Sequence, residues 1–179
     1  MTRQIRGAVT AFALLTASIV PAARAQDPVA PFGDLMVTQI AFVVRDADAA
    51  ARRWGALLGV DVPPAIVTDP LERARTQFRG QPSEARAKIA FVRLKNLTIE
   101  LIEPIGGPST WQEHLENHGE GVHHLAFDVK DMPAAIAHAE AHGGATLQRG
   151  DFTGGSYHYL EMPAPYHVIL ELLAFERDR

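Results

Sequence analysis

One stretch of this chain occurs twice, and that repeat constrains the fold more than any local propensity does. The first copy reads Gln39-Ile-Ala-Phe-Val-Val-Arg-Asp46 and continues through Ala47 to Leu58. The second reads His124-Leu-Ala-Phe-Asp-Val-Lys-Asp131 and continues through Met132 to His142. Ile40 matches Leu125, Ala41 matches Ala126, Phe42 matches Phe127, Val44 matches Val129 and Asp46 matches Asp131, at a constant offset.

Each copy opens with the period-2 alternation of a strand. Ile40, Phe42 and Val44 share one face, as do Leu125, Phe127 and Val129, and these bulky residues are expected to pack under the helix that follows. The opposite face carries Gln39 and Ala41, or His124, Ala126 and Asp128, a small and polar set that suits the wall of a cleft. Asp46 and Asp131 stand where a helix N-cap is wanted, Pro133 falls in a first turn, and Gly59 and Gly143-Gly144 end the two helices. Further strands are predicted at Ala87 to Leu94, Leu97 to Glu103, Ala145 to Arg149, Ser156 to Glu161 and His167 to Phe175, with one tentative strand at Arg75 to Arg79 and a helix from Ser109 to His118. The order is β-α-β-β-β, twice. This is an α+β fold whose two modules, about 35–105 and 121–177, form a curved eight-stranded cleft.

The N-terminus has a different character. Arg3 and Arg6 precede an uncharged apolar stretch, Ala8 to Val20, and Ala23-Arg24-Ala25 forms a small-x-small site, the order of a secretory signal peptide. The stretch is shorter than the ~20 apolar residues of a spanning helix. Residues 26–34 read as a Pro-rich linker to a domain over 35–177. Cleavage after Ala25 would remove three arginines and no acid from 17 basic and 21 acidic residues, leaving 154 residues with a charge of −7. A periplasmic or secreted protein follows, with no membrane contact after cleavage and no basic run for nucleic acid. With no cysteine, thiolate chemistry and disulfides are excluded.

Four polar residues occupy equivalent strand positions. Gln39 and His124 open the first strands, and Glu100 and Glu171 interrupt the otherwise apolar closing strands Leu97-Thr-Ile-Glu-Leu-Ile-Glu103 and Val168-Ile-Leu-Glu-Leu-Leu-Ala174. A buried carboxylate is costly unless paired or bound to a metal. Two carboxylates, an imidazole and an amide oxygen suit a divalent ion such as Zn, Ni, Co, Mn or Fe(II). His123 is expected on the other strand face as a helix-contact residue, and Glu103 in solvent. Solvated faces are expected for the i,i+4 pairs His114/His118 and His138/His142. His158 and His167 flank the closing turns, and Trp54 and Trp111 are core or interface aromatics. Arg73, Arg75 and Arg79 are either a substrate-anion anchor or a charged hairpin in water.

These residues together resemble the vicinal-oxygen-chelate (glyoxalase) superfamily over about residues 35–176. Glu100-Leu-Ile-Glu-Pro104, the helix from Ser109 to His118 and Gly121-Val-His-His-Leu-Ala-Phe-Asp-Val129 are closest in texture to methylmalonyl-CoA epimerases. The resemblance implies metal ligands at Gln39, Glu100, His124 and Glu171. It also implies a substrate chelated through two neighbouring oxygens, enediolate stabilisation, and Glu171 or Glu100 as base. The ligand set departs from the epimerases, which resemble one another in His and Gln at the positions of Gln39 and Glu100, and is similar to that of zinc-binding glyoxalase I enzymes. Arg75-Thr76-Gln77-Phe78-Arg79 offers no carboxylate where epimerases carry their base, and Gln39 counts against the extradiol dioxygenases. A glyoxalase-type lyase or isomerase acting on a small molecule is the leading expectation. A metal-free binding protein and an epimerase with an atypical acid/base pair are the alternatives. Because this fold often pairs through its modules, a homodimer is among the expectations.

Overall fold

A computed structural model describes residues 31–176. The proposed signal peptide and the first part of the linker lie outside the described residues. From Pro31 the chain forms a turn, and Phe32 packs against Phe127 and His138. Among the described residues no helix is long and apolar enough to cross a membrane.

Module one contains β1 (Val37–Val43), α1 (Ala47–Leu58), β2 (Ile66–Val67), α2 (Leu71–Ala74), β3 (Gln77–Phe78), β4 (Gln81–Pro82), β5 (Arg86–Arg93) and β6 (Thr98–Ile105). After α3 (Thr110–His118), module two contains β7 (Gly121–Asp128), α4 (Met132–Ala141), β8 (Ala145–Phe152), β9 (Gly155–Met162) and β10 (Val168–Phe175). All ten strands join one sheet in the order β2-β5-β6-β1-β7-β10-β9-β8-β3-β4. The two repeated strands, β1 and β7, pair antiparallel at its centre, and each pairs parallel with the closing strand of its own module.

The expected strand count was eight. The other two strands come from residues 68–85, where module one leaves its own edge after β2. The chain crosses through α2 and lays the short β3–β4 hairpin on the far edge, against β8 of module two. The tentative strand at Arg75 to Arg79 shrinks to Gln77–Phe78, because Arg75 and Arg79 both adopt positive φ and bend the chain. This crossing segment straps the two edges of the sheet together.

The repeated motif folds as its pattern requires. Phe42 and Val44 pack beneath α1 with Ala47, Ala51 and Trp54, and the rings of Phe42 and Trp54 lie 5.4 Å apart. Phe127 and Val129 pack beneath α4 with Ala135, Ala139 and Leu172. Asp46 and Asp131 each accept an N–H from the first turn, from Ala49 at 2.9 Å and Ala134 at 3.0 Å. Gly59 closes α1 in the left-handed conformation. Replacing Asp46 with alanine is expected to cost about 1 kcal/mol, read as a lower urea midpoint with an unchanged m-value.

Two side chains depart from expectation. Glu103 is half-buried rather than solvated, because its Oε2 accepts the Ala47 N–H at 2.9 Å and serves the N-terminus of α1. His123 is turned toward the inner side by a register shift: Ala41 faces His124, but Phe42 already faces Val122. A residue displaced in this way escapes the period-2 rule.

Candidate metal centre and cavity

The inner face of the sheet is organised in two cross-strand rows. One runs through Glu100, Ala41 and His124, on β6, β1 and β7. The next runs through Thr98, Gln39, Ala126 and Glu171, on β6, β1, β7 and β10. The motif's alanines are fully buried and stand between the polar residues. With only a methyl group at Ala41 and Ala126, the longer side chains can converge above the central strands.

Glu100, His124 and Glu171 do converge. Each supplies one ligating atom, and these atoms lie within 4.8 Å of one another. His124 Nε2 is 3.1 Å from Glu171 Oε2 and 3.5 Å from Glu100 Oε2, and all three residues are buried. Despite this proximity none of the three atoms has a hydrogen-bond partner within the protein. They cluster within ion-pair range of one another without a well-formed hydrogen bond among them. Native proteins rarely leave three buried polar atoms in this state, and a bound cation would satisfy all three. Gln39 lines the cavity above them from the neighbouring row.

Burial raises the Glu100 carboxyl above its ordinary value, and the negative charge of Glu171 adds to that rise. Burial pulls His124 down, but Glu171 and Glu100 outweigh it and push the imidazole up to about 9. Without a metal, His124 therefore carries a proton between the two carboxylates. Its other nitrogen, Nδ1, lies 2.9 Å from Nδ1 of His123, and His123 Nε2 lies 3.2 Å from Thr110 Oγ1 on α3. Burial and the His124 charge hold His123 well below its usual range. Neutral His123 then accepts from His124 at Nδ1 and donates to Thr110 at Nε2. His123 is thus a helix-contact residue, and it also holds the orientation of His124.

Thr110 links this chain to the cavity wall. Its N–H donates to Gln148 Oε1 at 2.9 Å, and Gln148 Nε2 donates to the Tyr157 hydroxyl at 3.3 Å. Burial pushes Tyr157 up to about 12 and also raises Tyr159, so both remain phenols. Trp111 donates to the Tyr159 hydroxyl at 3.3 Å. Sequence reasoning singled out Trp111 as a core or interface aromatic but missed Gln148, Tyr157 and Tyr159; the signal that could have found the two tyrosines is the alternation of the strand predicted at Ser156 to Glu161.

The cavity encloses about 500 Å³, and its walls include Phe91, Trp111, Phe152, Tyr157, Tyr159 and Phe175. Ile66, Val67, Thr68, Asp69, Ala74 and Thr76 of the strap close one side. The expected basic cluster is taken up by acids: Arg73 pairs with Asp69, Arg75 with Asp151, and Arg79 with Glu113. Asp69 and Asp151 line the cavity; the Arg75–Asp151 pair ties the strap to β8, while the Arg73–Asp69 pair lies within the strap. The second strand of module one is β2, not 75–79, and Asp69 is the cavity carboxylate that follows it.

The remaining histidines lie elsewhere. The rings of His114 and His118 lie 5.2 Å apart and tilted, as do those of His138 and His142 at 4.5 Å, and His114 also meets His123 edge-on at 5.3 Å. His167 borders a separate shallow depression. His158 is buried, with Nε2 2.8 Å from Thr146 Oγ1, and burial with the Arg149 charge pulls it down to about 4. The unfolded chain protonates this ring below about 6.5 and the folded chain only below about 4. Stability is therefore expected to fall as pH drops through that window. His158→Gln should flatten the urea-midpoint profile there, by roughly 1–2 kcal/mol after allowance for partial solvation.

A ten-stranded curled sheet of paired β-α-β-β-β modules, with a buried Glu-His-Glu cluster at its centre that could hold a metal, defines a paired-module cleft protein. The chain belongs to the Glyoxalase/Bleomycin resistance protein/Dioxygenase superfamily, whose profile matches residues 38–160. It is 28% identical over 149 residues to a 2-epi-5-epi-valiolone epimerase from Actinomyces sp., covering 79% of this chain and 80% of that protein. It is also 28% identical over 119 residues to an ethylmalonyl-CoA/methylmalonyl-CoA epimerase from Cereibacter sphaeroides, covering 64% of this chain and 76% of the relative. Among solved structures it resembles a Streptomyces coelicolor methylmalonyl-CoA epimerase in complex with 2-nitronate-propionyl-CoA, with a TM-score of 0.55 at 20% identity over 78% of this chain and 96% of the other. That last likeness concerns the fold.

Proposed function

We propose that this protein is a metal-dependent isomerase of epimerase type, which moves a proton at a carbon next to a carbonyl. The observation that carries this reading is the convergence of Glu100 Oε2, His124 Nε2 and Glu171 Oε2, buried and unpartnered, beneath the cavity. The epimerase relatives support it. Glu100, His124 and Glu171, with the Gln39 amide oxygen, would hold the ion. A divalent ion bound there would supply Lewis-acid stabilisation of the charge that develops on the carbonyl oxygen as the neighbouring C–H bond breaks.

The protein's own residues do the rest. Glu171 would detach from its ligating position to take the proton, and Glu100, after taking a proton from solvent and detaching in its turn, would return one from the other flank of the central strand pair. Tyr157 and Tyr159 remain protonated and offer hydroxyls to substrate oxygens. The aromatic walls and the strap exclude water. A glyoxalase-type lyase would share the first proton abstraction, so the fate of the proton separates the two reactions.

The test is solvent-deuterium exchange, followed by NMR on cyclic polyhydroxy ketones and on 2-substituted acyl thioesters, with the protein loaded in turn with Zn, Ni, Co, Mn and Fe(II). Exchange at the carbon next to the carbonyl, with inversion there, is expected. A fully loaded protein that exchanges no such proton overturns the reading. The support given to His124 makes a separate expectation. Thr110→Val, which removes the hydroxyl beside His123, should weaken metal binding about tenfold in a chelator-competition titration.

A further inference from the structure

The cavity has a charge pattern that the proton transfer does not require. Five charged side chains line it: Asp69, Arg93, Glu100, Asp151 and Glu171. Asp69 and Asp151 are neutralised by Arg73 and Arg75. Glu100 and Glu171 would be balanced by a divalent ion. That leaves Arg93, which is exposed at the end of β5 and makes no ion pair with another described residue. The loaded cavity therefore carries one net positive charge, on one side of its mouth.

The position of Arg93 is fixed by register. It pairs with Thr98, and Thr98 pairs with Gln39. Arg93 thus extends the row that ends at Gln39 and Glu171, two strands or roughly 10 Å from Gln39 between backbones. A guanidinium there presents a planar fork of donors to a carboxylate or phosphate. Phe91, two residues earlier on β5 and opposite Glu100, supplies an apolar surface between the two polar positions.

We infer that Arg93 forms an anion subsite, and that the substrate is a small carbonyl compound whose distal end carries a single negative charge. This inference rests on the metal reading above. The anion binds at the mouth, and the chelating oxygens lie at the floor beside Glu100 and Glu171. The spacing excludes a carboxylate adjacent to the chelated carbonyl as the group that Arg93 reads.

The test uses two probes on the Zn-loaded protein. Adipic monohydroxamate offers a chelating head and a distal carboxylate, and the matching carboxamide has the same shape without the charge. Binding is followed through the fluorescence of Trp111, which lines the cavity. The carboxylate probe is expected to bind about five- to tenfold more tightly. That preference should shrink at high salt, survive in part in Arg93→Lys and disappear in Arg93→Gln, while the carboxamide binds all three proteins alike. Equal binding of both probes to the unaltered protein, or an undiminished preference in Arg93→Gln, overturns the subsite and leaves the metal reading intact. If neither probe binds, the metal reading fails and the subsite falls with it.

Discussion

Glu171→Gln is expected to lower the rate of deuterium exchange by roughly 10²–10⁴-fold, the range for loss of a positioned general base. The substitution keeps the side-chain shape but removes both the charge and the basic oxygen beside His124, 3.1 Å away. Metal affinity should fall as well, because one of three convergent ligand atoms becomes part of a neutral amide. Circular dichroism should remain that of the unaltered protein, since Glu171 sits between well-paired neighbours on β10. If Glu171→Gln exchanges protons at the original rate with its metal bound, another group is the base, and Asp69 on the strap becomes the first to replace.

Metal loading should stabilise the fold strongly, and the gain should depend on pH. At a thousandfold excess over the dissociation constant, binding to the native state alone adds about 4 kcal/mol. For a domain of this size that raises Tm by roughly 8–16 °C. The unloaded protein holds a proton on His124 up to about pH 9, and that proton must leave before Nε2 can ligate. Apparent affinity is therefore expected to fall about tenfold for each unit of pH below 9 and to level off above it. The unloaded fold behaves in the opposite sense. The raised pKa of His124 contributes stability that is complete below the unfolded value near 6.5 and is lost as pH rises through 9. The Tm difference between loaded and unloaded protein should thus widen from pH 6 to 9, as measured by calorimetry in a non-chelating buffer. A gap that stays constant across that range would mean that His124 is not the ligand.

The sequence revealed those parts of the fold that repeat and those residues that break a pattern. Asp46 and Asp131 were legible as caps because an acid stood at the same place before each helix. Glu100 and Glu171 were legible because a charge inside an apolar strand calls for a reason. The strap was not legible, since strands of two residues, such as Ile66–Val67 and Gln77–Phe78, carry no alternation to read. The inward turn of His123 comes from a register shift between two strands, which neither strand shows alone. Glu103 caps a helix that begins 56 residues earlier, a pairing that only the folded sheet brings about. The pairing of Arg75 and Arg79 with acids has the same origin, because Asp151 and Glu113 belong to distant parts of the chain.

The strap also breaks a symmetry that the repeat creates. The antiparallel β1–β7 pair relates Gln39 and Glu100 to His124 and Glu171 by an approximate two-fold rotation, so the two modules present matching positions to the cavity. Residues 68–76 line one side of the cavity, and module two has no inserted segment to match them. A molecule entering this cleft meets an asymmetric wall above a nearly two-fold floor. The inserted segment is what makes the two sides of the cavity unequal, and exchanging it should alter how tightly the two epimers bind relative to each other while leaving the ligand set untouched.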